Sequence, residues 1–429
     1  MNALFIASLD LRDHPLKTAK KKIRAEYALA LSYLVSEVVI QAEEKRYTSE
    51  RLKMYQNVLL PGAEVNTLFP IRNGISCIRK LRRKKLRYLL AYDVALILPD
   101  GVSTMQAVSI INSCLSTRNQ IDVDRMVAIL SGKIDIDKKL LFVAPLIVQY
   151  RMNQAFLSQP ERRIIITANT SAGKSTLINA LIGKPLARTS QEVCTGNVCY
   201  FFNKAFEDNN VHLSTKALTL NATADELHNY EWSEPVSIAS YFTQCTSQMS
   251  RLCFIDTPGV DAALYKNHTD VTHTALQNER YDMILYVVCP TRLGTDAEIK
   301  HLKWVLKNLP TKKVIFVLNK LDNYRDGSDS IEESVQGLKE ELIKLGFENP
   351  IICPVSAYFS YLLKLKMTGK RLADDETDEY VHLSKKFMRP SYDLSRYYVN
   401  VQSEGGDSAE MKLSKRAGIY GLEKIIYGG

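Results

Sequence analysis

No apolar run in this chain approaches the ~20 residues that a membrane-spanning helix needs. The best stretches, residues 88–99 and 140–148, are far shorter, so a bilayer-crossing protein is not expected. The N-terminus, MNALFIASLDLRDH, places no positive stretch ahead of an apolar core, which argues against a secretory leader. Paired cysteines are also missing. The eight present, at 77, 114, 194, 199, 245, 253, 289 and 353, contain no C-x-x-C, and several fall inside apolar strands. They read as reduced, mostly buried residues of a cytoplasmic protein and not as disulfides or zinc ligands. No aromatic residues interleave with the basic stretches in the manner of a single-stranded nucleic-acid groove. What is present is ordinary for a folded protein. The 429 residues are 46% hydrophobic and 24% charged with a net charge of +9, enough for two or three domains with a substantial core.

Residues 162–183, RRIIITANTSAGKSTLINALIG, run an apolar strand into a small-residue loop ending Gly173-Lys174-Ser175, and then into a helix. Such a turn cradles nucleotide phosphates, because backbone N–H groups and the positive end of the helix dipole converge on it. Asn169, Thr170, Ser171, Ala172, Gly173, Lys174, Ser175 and Thr176 are the candidate phosphate-binding residues. Lys174 would reach the β- and γ-phosphates, and Ser175 would offer its hydroxyl to Mg2+. The usual leading glycine is replaced by Ala168, whose methyl group is expected to alter the bend or weaken affinity.

Three further motifs follow in order. In LCFIDTPG, residues 252–259, an apolar strand ends on Asp256, placed to bind Mg2+, and Gly259 could sense the γ-phosphate. In VIFVLNKLD, residues 314–322, Asp322 can accept two hydrogen bonds from guanine that adenine does not offer, a discrimination of roughly 10⁴-fold or more. Lys320 would lay its methylene stem over the base, and Asn319 would tie this loop to the phosphate loop. In IICPVSA, residues 351–357, the backbone of Ser356 and Ala357 would approach the guanine carbonyl.

On these motifs the chain resembles the translation-factor class of GTPases, and more closely the dynamin-like GTPases, particularly the bacterial ones. The phosphate loop Ser171-Ala172-Gly173-Lys174-Ser175 has the form dynamins favour. Cys194-Thr195-Gly196 is similar to the dynamin switch, which implies that Thr195 binds Mg2+ when the γ-phosphate is present. Leu293-Gly294-Thr295-Asp296-Ala297-Glu298 resembles the segment after the fourth strand of bacterial dynamins, and Ala417-Gly418-Ile419-Tyr420-Gly421-Leu422-Glu423 the helix that closes their GTPase domain. The metal set implied is Ser175, Thr195 and Asp256.

Ras-like enzymes orient the attacking water with a glutamine just after the D-x-x-G turn, but here Val260 and Asp261 follow Gly259. The dynamin resemblance implies another arrangement, in which Ser171 helps hold a K+ or Na+ ion, Thr170 stands where dynamins carry a glutamine, and two nucleotide faces dimerise. Lys174, Ser171, Thr195 and Thr170 are thus the candidate catalytic residues, with slow basal turnover of GTP to GDP raised by a partner. A ribosome- or RNA-assembly GTPase and a nucleotide-binding scaffold with little turnover stay open as alternatives.

The expected fold is an α/β P-loop GTPase domain, a mostly parallel sheet with helices on both faces, at about 160–429, preceded by an all-α domain at 1–150. Within the GTPase region two insertions are expected. Residues 205–249 contain helix-like stretches at 224–230 and 235–241, and residues 363–415 are charged and loop-like at their end. In the N-terminal region, helical spacing recurs at 25–42, 75–98, 105–114, 123–130 and 140–156. Residues 88–103 resemble the helix-turn of TerB-type tellurite-resistance domains, and Asp93 and Asp100 read as helix-surface and turn residues. The basic stretch 79–87, RKLRRKKLR, reads first as the solvated face of a packed helix. Docking on an anionic membrane surface, peripheral at the inner face of a membrane, is the alternative, and nucleic acid is a lesser one. Dynamins continue from the closing helix into a stalk, whereas this sequence stops at Gly428-Gly429; either it is a truncated piece, or the N-terminal helical domain and a separately encoded partner replace the stalk.

Overall fold

The computed structural model describes the chain apart from residues 1, 40, 63–73, 99, 189–196, 230–233, 247–249, 261–266, 326, 400, 402–406 and 429. It separates into two compact units, one of Met1–Pro160, Lys204–Ala224 and Ala239–Tyr241, the other of Glu161–Asn203, Asp225–Ile238 and Phe242–Gly429.

The first unit is helical, with α1 (Ala3–Ile6), α2 (Lys21–Val38), α3 (Ala42–Leu59), α4 (Gly74–Lys80), α5 (Lys84–Ile97), α6 (Gly101–Ser113), α7 (Val123–Leu130) and α8 (Ala144–Leu157). Its core gathers Leu31, Leu34, Tyr55, Leu90, Val94, Ile97, Ile111, Ile129 and Ile147. Helix α5 is the most buried, packing on α2, α6 and α8. Helix α3 was not legible in the apolar spacing. Its inward face is partly polar, since Thr48 and Arg51 are buried beside Tyr55 and Leu59, and the Arg51 guanidinium donates to the Ala7 carbonyl at 2.9 Å.

Two expectations for this unit are corrected. The basic stretch is not one helix, because the chain breaks after α4 and restarts at α5. Arg87 points inward at 2% exposure and donates to the Leu81 and Arg82 carbonyls at 3.1 and 2.8 Å, satisfying backbone that the break exposes. Asp93 is not on a helix surface. It is fully buried, accepts from the hydroxyls of Tyr27 and Tyr55, and meets His14 Nε2 at 2.9 Å. Asp100 does cap a turn, accepting the Ser103 N–H at 2.7 Å to start α6.

The second unit holds β1 (Arg162–Ala168), α9 (Lys174–Ile182) and β2 (Cys199–Asn203). The next strands, β3 (His212–Ser214) and β4 (Leu218–Thr219), pair antiparallel with each other and belong to the first unit. Then come α10 (Ala224–Asn229), β5 (Val236–Ser240), β6 (Leu252–Asp256), α11 (Asn267–Asn278), β7 (Met283–Val288), α12 (Asp296–Asn308), β8 (Val314–Leu318), α13 (Ile331–Leu345) and β9 (Ile351–Pro354). Helices α14 (Ala357–Met367), α15 (Asp374–Phe387), α16 (Ala409–Arg416) and α17 (Ile419–Gly428) complete it. Residues 235–241 are therefore a strand and not a helix: Val236, Ile238 and Ala239 are buried.

The sheet of this unit runs β5-β2-β6-β1-β7-β8-β9. Strand β1 lies parallel between β6 and β7, β8 extends β7 and β9 extends β8, all parallel, while β2 runs antiparallel to β6. Every residue of β6, β7 and β8 is buried, which is why these strands read as unbroken apolar runs. The carboxyl ends of β1, β6, β8 and β9 deliver the four motifs to one edge of the sheet, where open α/β sheets bind ligands. Among the described residues the cysteines are free thiols, and no helix is long and apolar enough to cross a membrane.

Candidate functional site

The loop after β1 bends at two residues, Ser171 at φ 67° and Gly173 at φ 89°. A Cβ on Gly173 would stand 2.4 Å from Asn319 Nδ2, so both conformation and space demand glycine there. Ala168 is not at the bend. It is the last residue of β1, buried, and its carbonyl accepts the Val260 N–H at 3.3 Å. The expected distortion from its methyl group is corrected accordingly.

Asn319 binds three strand ends together. Its Nδ2 donates to the Ala172 carbonyl at 3.1 Å and reaches that of Gly173 at 3.4 Å, and its Oδ1 accepts the Ala357 N–H at 3.0 Å. Lys174 opens α9 with Ser175 and Thr176 in the turn behind it. The Lys174 ammonium pairs with the buried carboxylate of Asp256 at the end of β6. Burial pushes the Asp256 carboxyl up, and Lys174 opposes that rise. The D-T-P-G turn is tied to β1 by Thr257, whose hydroxyl donates to the Ile166 carbonyl at 2.9 Å. Gly259 leaves little room, since a Cβ there would lie 3.0 Å from Thr170 Oγ1.

On the base side, Lys320 takes φ 65° and its Cε lies 3.6 Å from where a Gly173 Cβ would stand, so its stem runs beside the phosphate loop. The Ser356 hydroxyl donates to Asp322 Oδ1 at 2.7 Å and accepts the Phe359 N–H at 3.3 Å as the cap of α14. Lys386 of α15 donates to the Asp322 carbonyl at 2.6 Å. The Ala357 N–H is held by Asn319 and the Ser356 N–H by the Ala417 carbonyl at 3.0 Å. Thr195, with Cys194 and Gly196, lies outside the described residues.

Two residues here were given no role by the motif reading, Glu298 although its segment was quoted and Lys386 altogether. Glu298 is buried on α12 and accepts from Asn169 Nδ2 at 2.8 Å, and burial pushes its carboxyl up. The signal available was its place three residues after Thr295, the α12 cap. Lys386 sits in the charged segment read as an insertion, and nothing local marked it.

The residues fit a nucleoside triphosphate with a divalent cation. The cradle tolerates no Cβ at Gly173, a lysine and a carboxylate meet at its floor, and Asn169 Oδ1 and Thr170 Oγ1 are buried beside it without a protein partner. Residues 164–321 match the model of the dynamin family. Over these residues the chain is similar to the dynamin family. The chain is 26% identical over 226 residues to a probable transmembrane GTPase FZO-like protein, chloroplastic, of Arabidopsis thaliana, covering 52% of this chain and 22% of that protein. It is 26% identical over 189 residues to dynamin-like protein A of Bacillus subtilis, covering 42% of this chain and 15% of that one. The chain thus spans under a quarter of the length of these relatives. Among solved structures, an Aquifex aeolicus Era variant bound to GDP·AlF4− aligns with 50% of this chain and 58% of its own, at 20% identity and TM-score 0.28. Toc33 of Arabidopsis thaliana in complex with Mg2+ and GMPPNP aligns with 47% of this chain and 72% of its own, at 16% identity and TM-score 0.31.

Proposed function

We propose that this protein binds GTP and hydrolyses it to GDP and phosphate, as a dynamin-like switch or mechanochemical GTPase that works with a partner at a membrane surface. The observation that carries the reading is Asp322, pinned by Ser356 at 2.7 Å in a loop that Asn319 fastens to the phosphate cradle. A carboxylate fixed in this way accepts the paired donors of guanine and leaves adenine mismatched. The N–H groups of 169–176 hold the phosphates, and Lys174 neutralises charge that builds on them. Ser175 and Asp256 would hold Mg2+ with Thr195, and that ion supplies positive charge to the β- and γ-phosphate oxygens when bound. Thr170, Val260 and Asp261 offer no glutamine to orient water, so the groups that raise turnover come from a second copy or a partner, with Ser171 placed to help a K+ or Na+ ion. The working division is a helical domain from residue 1 to about 150, joined by residues 204–224, and a GTPase domain over most of the chain from about 160.

The test is GTP turnover at several protein concentrations, in K+ and in Na+, with and without anionic liposomes. Turnover per molecule that climbs with concentration or liposomes is expected. Tight GTP binding with no turnover in any condition would instead make the protein a nucleotide-binding scaffold.

A further inference from the structure

The helical unit holds a cavity of about 310 Å3 formed by α5, α7 and the short 3-10 helix Lys138–Val143. Its chemistry is uneven. Lys84, Lys85, Arg125 and Lys139 line it against two carboxylates, Asp122 and Asp137. Both carboxylates are already engaged. Asp137 pairs with Arg125 at 3.1 Å and accepts the Lys139 N–H at 3.1 Å, and Asp122 caps α7 through the Arg125 N–H at 3.1 Å. The aromatic wall is Tyr88 and Phe142, with the Lys84 ammonium 5.6 Å from the first ring centre and that of Lys85 5.2 Å from the second. Tyr92 also lines the cavity. It is 1% exposed, and its hydroxyl is buried without a hydrogen-bond partner.

We propose that this cavity binds a small molecule made of an apolar, ring-sized body with one anionic group, a phosphate monoester, sulfonate or carboxylate. The lysines at the mouth take the anion, Tyr88 and Phe142 sandwich the body, and the volume, at the lower end of the ~300–1,000 Å3 typical of ligand sites, limits it to a compact group. The anion could belong to a soluble metabolite or to a lipid headgroup, and the experiment separates the two. The site is independent of nucleotide chemistry.

The probe is 8-anilinonaphthalene-1-sulfonate, titrated by fluorescence into the full chain at low salt, with circular dichroism and the unfolding midpoint recorded for each variant. One saturable site is expected, about tenfold tighter than for N-phenyl-1-naphthylamine, which has the same rings without the sulfonate. Lys84→Gln with Lys85→Gln should weaken the sulfonate about three- to tenfold and flatten its salt dependence. Displacement by 1-naphthyl phosphate identifies a soluble ligand class. Co-sedimentation with phosphatidylglycerol vesicles that the double lysine variant loses identifies a lipid headgroup. No saturable binding, equal affinity for the neutral probe, or binding indifferent to the double lysine variant overturns the proposal.

Discussion

Lys174 pairs with Asp256 and, on the proposed function, also meets the nucleotide phosphates, so a single substitution would disturb both. Its ammonium is the countercharge of Asp256, which is 2% exposed, so Lys174→Ala leaves a carboxylate buried alone. Breaking a buried pair from one side costs about 3 kcal/mol, whereas removing both charges costs much less. Urea unfolding should show Lys174→Ala destabilised by roughly that amount and Lys174→Met with Asp256→Asn close to the parent. Both should fail to bind a fluorescent GTP analogue. Retained binding by the stable double variant would show that the lysine does not serve the phosphates. Ala168→Gly makes the opposite case. Since Ala168 is extended strand and the bends are at Ser171 and Gly173, restoring the usual glycine should leave nucleotide affinity within about threefold and cost about 0.5–1 kcal/mol of stability. A large gain in affinity would put the bend back at Ala168. At this scale the motif residues were legible because each stands at a strand end in a fixed order. The orphaned Thr170 hydroxyl and the Ser356–Asp322 bond were not, because side-chain geometry across 34 residues leaves no trace in spacing.

Among elements, the apolar runs of β6, β7 and β8 announced a parallel sheet, while α3 stayed hidden because Thr48 and Arg51 fill positions where apolar residues were sought. Charged residues that turn inward defeat pattern reading again at α14 and α17. Lys364 and Glu423 form a fully buried ion pair, and the same lysine donates to the Leu181 carbonyl in the phosphate-loop helix at 3.0 Å. Glu423 also accepts the Cys245 N–H at 2.7 Å, so it anchors the closing helix to the nucleotide helix through one cation. Glu423→Gln should cost about 3 kcal/mol, and Lys364→Met with Glu423→Leu should recover part of it. Equal, additive losses in a double-mutant cycle would mean that the two charges act separately.

Helix α12 adds a pH dependence. His301 meets Thr167 Oγ1 at 3.3 Å and is pushed down to about 3 by burial, with a smaller contribution from His273. A folded value below the usual ~6.5 gives stability that is present above pH 6.5 and lost as pH falls toward 3, because only the unfolded chain takes up the proton. Between pH 6 and pH 4 the parent should therefore lose about 1 kcal/mol per pH unit more than His301→Leu does. Parallel stability curves for the two proteins would contradict a neutral His301.

At the scale of the molecule, the segment read as a decorative insertion at 205–249 divides, and residues 204–224 join the N-terminal helices. The reason is a polar cluster with no counterpart in hydrophobic spacing. The Lys204 ammonium is buried against both carboxylate oxygens of Asp208 at 2.7 and 2.6 Å, and against His212 Nε2 at 3.0 Å. His212 Nδ1 in turn donates to the Phe5 carbonyl at 2.6 Å, Asp208 accepts the Leu9 N–H at 2.7 Å, and Ser8 donates to the Phe206 carbonyl at 2.7 Å. Burial holds the His212 imidazole well below its ordinary value, which suits an acceptor for Lys204. The helical unit is therefore not a fragment that ends at residue 160. Expressed alone, residues 1–160 would leave the Phe5 carbonyl, the Leu9 N–H and the Ser8 hydroxyl without these partners, each at a cost of about 1–3 kcal/mol if it stays buried. That fragment should unfold at markedly lower urea than a version carrying residues 204–224 on a short Gly/Ser linker, measured by circular dichroism at matched concentration. In the linked version Asp208→Asn should lower the midpoint again, since Lys204 loses its countercharge. Equal midpoints for the two fragments would return the boundary to residue 160 and make the cluster a surface ornament.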